Sequence, residues 1–231
     1  FAPIPSPDGK WIAFTRFPRD GQHPVTERIT HLTIIPAEGG DPIDLNVPLD
    51  ASAQSFAWTP DNRIIFSAHW HGSAPIYAVT PEGDLQQLAE GRFRASFLDV
   101  NAIGAAVVVS TPECPPELYF LPFGESLLQI TRFNQPFADS VIIQPTHEIW
   151  VDSPEGHKIH AWYILPPDYE PGKQYPLALN IHGGPHVMWS TGEPSMFLEW
   201  QFHAARGYVV LALNPRGSDG YGEKFMQAIH N

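Results

Sequence analysis

What the chain has little of sets the first limits. One cysteine, Cys114, occurs in 231 residues, so neither an intramolecular disulfide nor a cysteine-based zinc site can form, and nothing marks an oxidising compartment. A cytoplasmic location is the expectation. Basic residues are scarce. Thirteen Lys and Arg stand against 25 Asp and Glu, a formal net charge of −12, which repels phosphate backbones and leaves no basic stripe for them to dock on. No nucleic-acid partner is expected. Pro, Gly or polar residues interrupt the longest apolar runs before they approach the roughly 18 residues of a membrane-spanning helix, so no membrane partner is expected either. The chain starts at Phe1 and enters Pro-Ser-Pro-Asp-Gly at once. Neither a start residue nor a signal peptide is visible, and the expectation is that the natural chain begins upstream.

Turn-forming residues, by contrast, are plentiful. Twenty-five prolines and 18 glycines are spread along the whole chain, which favours many short elements, and strands over long helices in the first 140 residues. These strands repeat. Ser6-Pro7-Asp8-Gly9-Lys10 feeds an alternating strand in which Trp11 and Ala13 face one way, Ile12 and Phe14 the other. Trp58-Thr59-Pro60-Asp61-Asn62 feeds a similar strand from Ile64 to Ser67. Strand ends at Pro36, Pro81 and Pro122 carry a second repeat, 45 and 41 residues apart. A period of this size with several strands per unit is the signature of propeller blades. An antiparallel sandwich is the alternative, but it has no reason to repeat at a fixed period. Three blades do not close a circle, so the rest is expected upstream.

The texture changes after about residue 145. Glu148–Asp152, a Pro-Glu-Gly turn and Ile159–Leu165 read as a β-hairpin. Tyr175–His182 reads as a nearly continuous apolar strand of the kind buried on both faces of a parallel sheet. Ser195–Arg206 has apolar residues at helical spacing with Gly207 as its stop, and Tyr208–Asn214 is another buried strand, with a further helix starting near Glu223. Strand, helix, strand is a βαβ unit. The expected fold is therefore a partial β-propeller of about three blades over residues 1–145, followed by the N-terminal part of an α/β-hydrolase domain over 146–231.

Two motifs follow the two apolar strands. His182-Gly183-Gly184-Pro185 places adjacent glycines where backbone N–H groups can approach a substrate carbonyl closely, as an oxyanion hole requires. The alternative is a plain turn needing positive φ. Asn214-Pro215-Arg216-Gly217-Ser218-Asp219-Gly220-Tyr221-Gly222 reads as a structural loop that shapes a site without reacting, with Arg216 able to hold it through a carboxylate or carbonyl oxygens.

Asn-Ile-His-Gly-Gly-Pro-His, about 30 residues before Asn-Pro-Arg-Gly-Ser-Asp-Gly-Tyr-Gly-Glu-Lys-Phe and preceded by Ser-Pro-Asp-Gly-Lys, resembles the prolyl oligopeptidase family of serine peptidases, and within it the acylaminoacyl-peptidase-like branch. The resemblance implies a propeller capping an α/β-hydrolase domain, and a Ser-Asp-His triad that cleaves short peptides or acylated N-terminal residues through an acyl-enzyme. It assigns His182, Gly183 and Gly184 to the oxyanion-side loop, and Arg216, Gly217 and Tyr221 to a structural loop beside the site. The family's nucleophile lies in Gly-x-Ser-x-Gly, and no serine here has that frame. Ser190 follows Met188 at the first position of the frame, and Ser218 follows Arg216. The triad is expected beyond residue 231, so that this chain alone is expected to be inactive.

Other residues carry weaker signals. On a strand, His69 and His71 would share a face, but no third ligand is near in sequence, so surface or blade packing is expected and no metal or cofactor is called for. Cys114 reads as an unreactive thiol, and Trp11, Phe14, Trp58 and Phe66 as blade core. Glu27 and Arg28 read as surface charge, the alternative being a propeller face seen by peptides. Two rival functions stay open: a carboxylesterase-type hydrolase, and a non-catalytic binding module made of a truncated propeller. Oligomeric state is left open.

Overall fold

The computed structural model describes residues 3–18 and 28–229, with backbone alone at 97 and 98. Three antiparallel four-stranded meanders come first. They comprise β1 (Ile4–Pro5), β2 (Trp11–Arg16), β3 (His31–Pro36) and β4 (Ile43–Asp44), then β5 (Ala53–Trp58), β6 (Ile64–Ala68), β7 (Ile76–Val79) and β8 (Leu85–Ala89), then β9 (Arg94–Val100), β10 (Gly104–Ser110), β11 (Glu117–Pro122) and β12 (Leu128–Gln129). In each sheet the strands pair in chain order. The repeated prolines fall at equivalent places, with Pro36 and Pro122 ending third strands and Pro81 just beyond one. The first two turns are also equivalent, because Gly9 at φ 72° and Asn62 at φ 62° hold the same left-handed position before a second strand. Among the described residues the three sheets do not close on themselves.

The sheets stack face to face, and the middle one shows why. Successive strand residues point to opposite faces. Ile64 and Phe66 of β6 pack with Ala13, Leu32 and Ile34 of the first sheet. Ile65 packs the other way, with Ala105, Val107 and Leu121 of the third. All five residues of β6 are therefore buried.

A short helix, α1 (Gln135–Ser140), leads into a mixed sheet of β13 (Thr146–Asp152), β14 (Lys158–Ile164), β15 (Leu177–Ile181) and β16 (Val209–Asn214), in the order β13-β14-β16-β15. The hairpin β13-β14 is antiparallel, and β15 runs parallel to β16. Between these two strands lie a π-helical turn (Met196–Trp200) and α2 (Gln201–Ala205), and α3 (Glu223–Gln227) closes the chain. Gly207, at φ 87°, stops α2 as its sequence position suggested: its N–H donates to Ala204 O, and that of Tyr208 to His203 O. The helical segment lays Met196, Phe197, Trp200 and Ala204 on Trp162, Ile164, Val210 and Ala212.

One strand is less covered within these 231 residues than its sequence leads one to expect. The run Tyr175–His182 is not buried on both faces. β15 sits at the edge of the sheet, and Leu177, Leu179 and Ile181 are 57, 49 and 69 % exposed. Ala178 turns toward the helix and joins its cluster, while the alternate residues face away from it.

Candidate active site

The two motif loops leave the same end of the parallel pair. Ile181 is in register with Leu213, so His182 and Asn214 both begin where the strands stop. Ligands of α/β sheets collect at this carboxyl end. Gly183 and Gly184 are exposed, and a Cβ added at Gly183 would meet nothing within 4 Å. Gly184 is constrained differently: at φ 132° a Cβ would come within 2.8 Å of the His186 nitrogen, so a side chain is excluded on both counts.

The first loop rests on the second. His182 Nε2 lies 3.0 Å from Ser218 Oγ, the His186 Nδ1–H donates to Gly217 O at 2.7 Å, and the Asp219 N–H donates to Val187 O at 3.2 Å. A Ser–His contact invites a nucleophilic reading, but its surroundings oppose one. Ser218 is fully buried and its hydroxyl also reaches Pro215 O at 2.7 Å. His182 Nδ1 lies against Gly183 O at 2.8 Å rather than against a carboxylate. With no open face and no carboxylate orienting the imidazole, the pair holds the loops together.

Arg216 makes no ion pair within 4.0 Å among the described residues, but after hydrogen bonds from the Glu155 backbone and Ser153 its charge helps to lower the Glu155 carboxyl. Gly217 and Tyr221 take part in the support of the loops. Tyr221 accepts a hydrogen bond from Asn214 Nδ2 at 2.7 Å and donates its own hydrogen to His160 Nδ1 at 2.8 Å. Asn214, fully buried, clamps the Trp189 peptide through Oδ1 to N–H at 2.8 Å and Nδ2 to O at 2.9 Å. Burial pushes the Tyr221 phenol well above its usual range. Burial first, and then the neighbouring His71, push His160 down to about 3, so it stays neutral and can accept the Tyr221 hydrogen. His160 Nε2 lies 2.9 Å from Glu148 Oε1, off the hydrogen-bonding angle.

The second sheet reaches this site, which the sequence did not disclose. His69 and His71 are not on a strand, and His71 has φ 45°, so their imidazoles do not share a face. His69 Nδ1 instead donates to Asp219 Oδ2 at 2.8 Å, while His71 stacks with Trp70 and Tyr221. Ser52 Oγ donates to Asp219 Oδ1 at 2.7 Å. Arg28 is not a plain surface charge, because its side chain is largely buried and pairs with the Glu223 carboxylate. Glu27 lies outside the described residues. Gly72 meets the Trp162 ring, and its carbonyl accepts the Thr191 N–H at 2.6 Å. Between these parts lies a cavity of about 370 Å³ lined by residues of both charges, among them Arg94, His186, Glu193 and Asp219. Cys114 lies elsewhere and is half-buried, and burial pushes its thiol up.

Comparison with known proteins bears on this arrangement. A sequence model of the prolyl oligopeptidase family matches residues 194–231. Over those residues the chain is similar to that family. It is 35 % identical over 175 residues to an uncharacterized peptidase, YuxL, of Bacillus subtilis, covering 74 % of this chain and 26 % of the relative. It is 27 % identical over 229 residues to dipeptidyl-peptidase 5 of Porphyromonas gingivalis, covering 97 % of this chain and 33 % of that one. In structure it superposes on an acylaminoacyl peptidase of Pyrococcus horikoshii with a TM-score of 0.81 at 23 % identity, over 98 % of this chain and 34 % of that one. The chain thus spans about a quarter to a third of the length of these three proteins. No described helix is long and apolar enough to cross a membrane.

Proposed function

We propose that this chain supplies the oxyanion side of a serine peptidase that cleaves short peptides or acylated N-terminal residues through an acyl-enzyme. The observation that carries the reading is the exposed Gly183-Gly184 turn at the carboxyl end of the parallel pair, with open space over Gly183. An N–H there, in this reading, donates to the oxyanion of a tetrahedral intermediate more strongly than to a ground-state carbonyl. In this reading residues 1–145 are propeller blades and 146–231 the opening of an α/β-hydrolase domain. The attacking serine, its histidine and its aspartate are contributed by protein outside these 231 residues, which alone hydrolyse nothing. Two relatives named as peptidases and the acylaminoacyl peptidase neighbour support the substrate class.

Treating the full-length protein with a fluorophosphonate probe tests the reaction class. Stoichiometric labelling of one serine outside residues 1–231 is expected, and no labelling would sink the proposal. Comparing kcat/KM for acyl-amino-acid anilides and simple esters then separates a peptidase from an esterase.

A further inference from the structure

The Gly183-Gly184 loop owes its position to a part of the molecule remote in sequence. Asp219 is 6 % exposed and both of its carboxylate oxygens are engaged. Oδ1 accepts from Ser52 Oγ at 2.7 Å and from the Gly220 N–H at 2.8 Å, and Oδ2 accepts from His69 Nδ1 at 2.8 Å. Ser52 lies just before β5 and His69 just after β6, at the second antiparallel sheet and 167 and 150 residues from Asp219. The backbone of Asp219 in turn donates to Val187 O at 3.2 Å, and Val187 donates to Pro185 O at 2.9 Å, directly after the glycines.

We propose that Ser52 and His69 are positioning residues for the Gly183-Gly184 loop, acting through Asp219. A buried carboxylate with one donor removed is left partly unpaired, which costs more than the bond itself and drives the group to move toward other donors or water. The carboxylate and the N–H bonded to Val187 O belong to one residue, so a shift of Asp219 that extends to its backbone draws the N–H away from Val187 O. Ser52 and His69 flank strands of the second sheet and Asp219 lies in the loop after β16, so the carboxylate ties the second sheet to the turn. The inference rests on the oxyanion role proposed above for its effect on rate, but not for its effect on the loop.

The experiment uses the full-length protein carrying His69→Ala, His69→Asn or Ser52→Ala. Asparagine places an N–H donor where the imidazole Nδ1–H stood, so it restores the bond to Asp219 that alanine removes. Hydrogen exchange at the Val187 and Asp219 amides is measured beside kcat and KM on an acyl-amino-acid anilide. His69→Ala is expected to speed exchange at these two amides at least tenfold and to lower kcat by about 10- to 100-fold, the loss that follows misplacement by about 1 Å, with KM within about twofold. His69→Asn recovers most of both, and Ser52→Ala falls between. Unchanged exchange in both alanine variants, exchange raised evenly across the protein, or an asparagine variant as impaired as the alanine one would overturn the proposal. If His69→Ala does not fold, Ser52→Ala decides by the same readouts. If the parent cleaves neither peptide nor ester, the oxyanion reading fails and the exchange measurement still decides this one.

Discussion

Tyr221 has one hydroxyl hydrogen, and it goes to a histidine that must stay neutral to receive it. Tyr221→Phe removes that donor and also the acceptor of Asn214 Nδ2. Each buried group left without a partner costs about 1–3 kcal/mol, so the full-length variant is expected to show a lower denaturant midpoint with an unchanged m value. The same histidine sets a pH dependence. His160 is pushed down to about 3 from an ordinary 6.5, so the unfolded chain binds the proton more readily. Its contribution to stability is complete above about pH 6.5 and is lost as pH falls toward 3. Stability measured across that range is expected to fall more steeply in the parent than in His160→Asn. At the glycine turn, Gly184→Ala is expected to lower kcat/KM by about 100-fold, because φ 132° and the His186 nitrogen both reject a Cβ. Gly183→Ala, with open space around it, is expected to keep the parent's melting temperature.

At the scale of the element, Asn62 occupies the left-handed turn position that Gly9 fills in the preceding sheet, and its Oδ1 also accepts the Asp8 N–H at 3.1 Å. Asn62→Ala should therefore destabilise by about 1 kcal/mol, with Asn62→Gly recovering the backbone part but not the bond between turns; thermal unfolding of the three proteins checks this. Such turns are why the repeated strands were legible. Pro, Asp, Gly and Asn have local conformational preferences, and local preferences are written in neighbouring residues. The βαβ order and the stop at Gly207 were legible for the same reason. The edge placement of β15 was not, since an apolar run states that a strand is present without stating how many neighbours flank it. His69 was misplaced because the strand that ends at Ala68 does not continue through it. Its partner, Asp219, is 150 residues away, and no spacing rule connects the two. The glycine turn and the Asn214–Gly222 loop beside it were legible as motifs, whereas the support from Ser52 and His69 was not.

Across the whole molecule, the antiparallel sheets meet the mixed sheet through close backbone approach and paired polar groups. Gly72 lies against the Trp162 ring, His71 N–H donates to Gly220 O at 2.9 Å, and Arg94 pairs with Glu193 at 3.2 Å. Gly72→Val would place a branched side chain where Trp162 and His160 already stand, in a left-handed conformation that valine resists. The full-length variant is expected to melt several degrees lower and to become more sensitive to proteolysis around residues 69–73. The Asp219 clamp has a different consequence, in the order of synthesis. At roughly 5–20 residues per second, the 150 residues between His69 and Asp219 take roughly 8–30 s to emerge, and for that time the two donors of the second sheet have no partner. An imidazole and a hydroxyl can wait in water at no cost, since water satisfies them. Apolar anchors at the same place would spend that interval open to misassociation, so the polar character of this clamp suits a joint that the growing chain must close late.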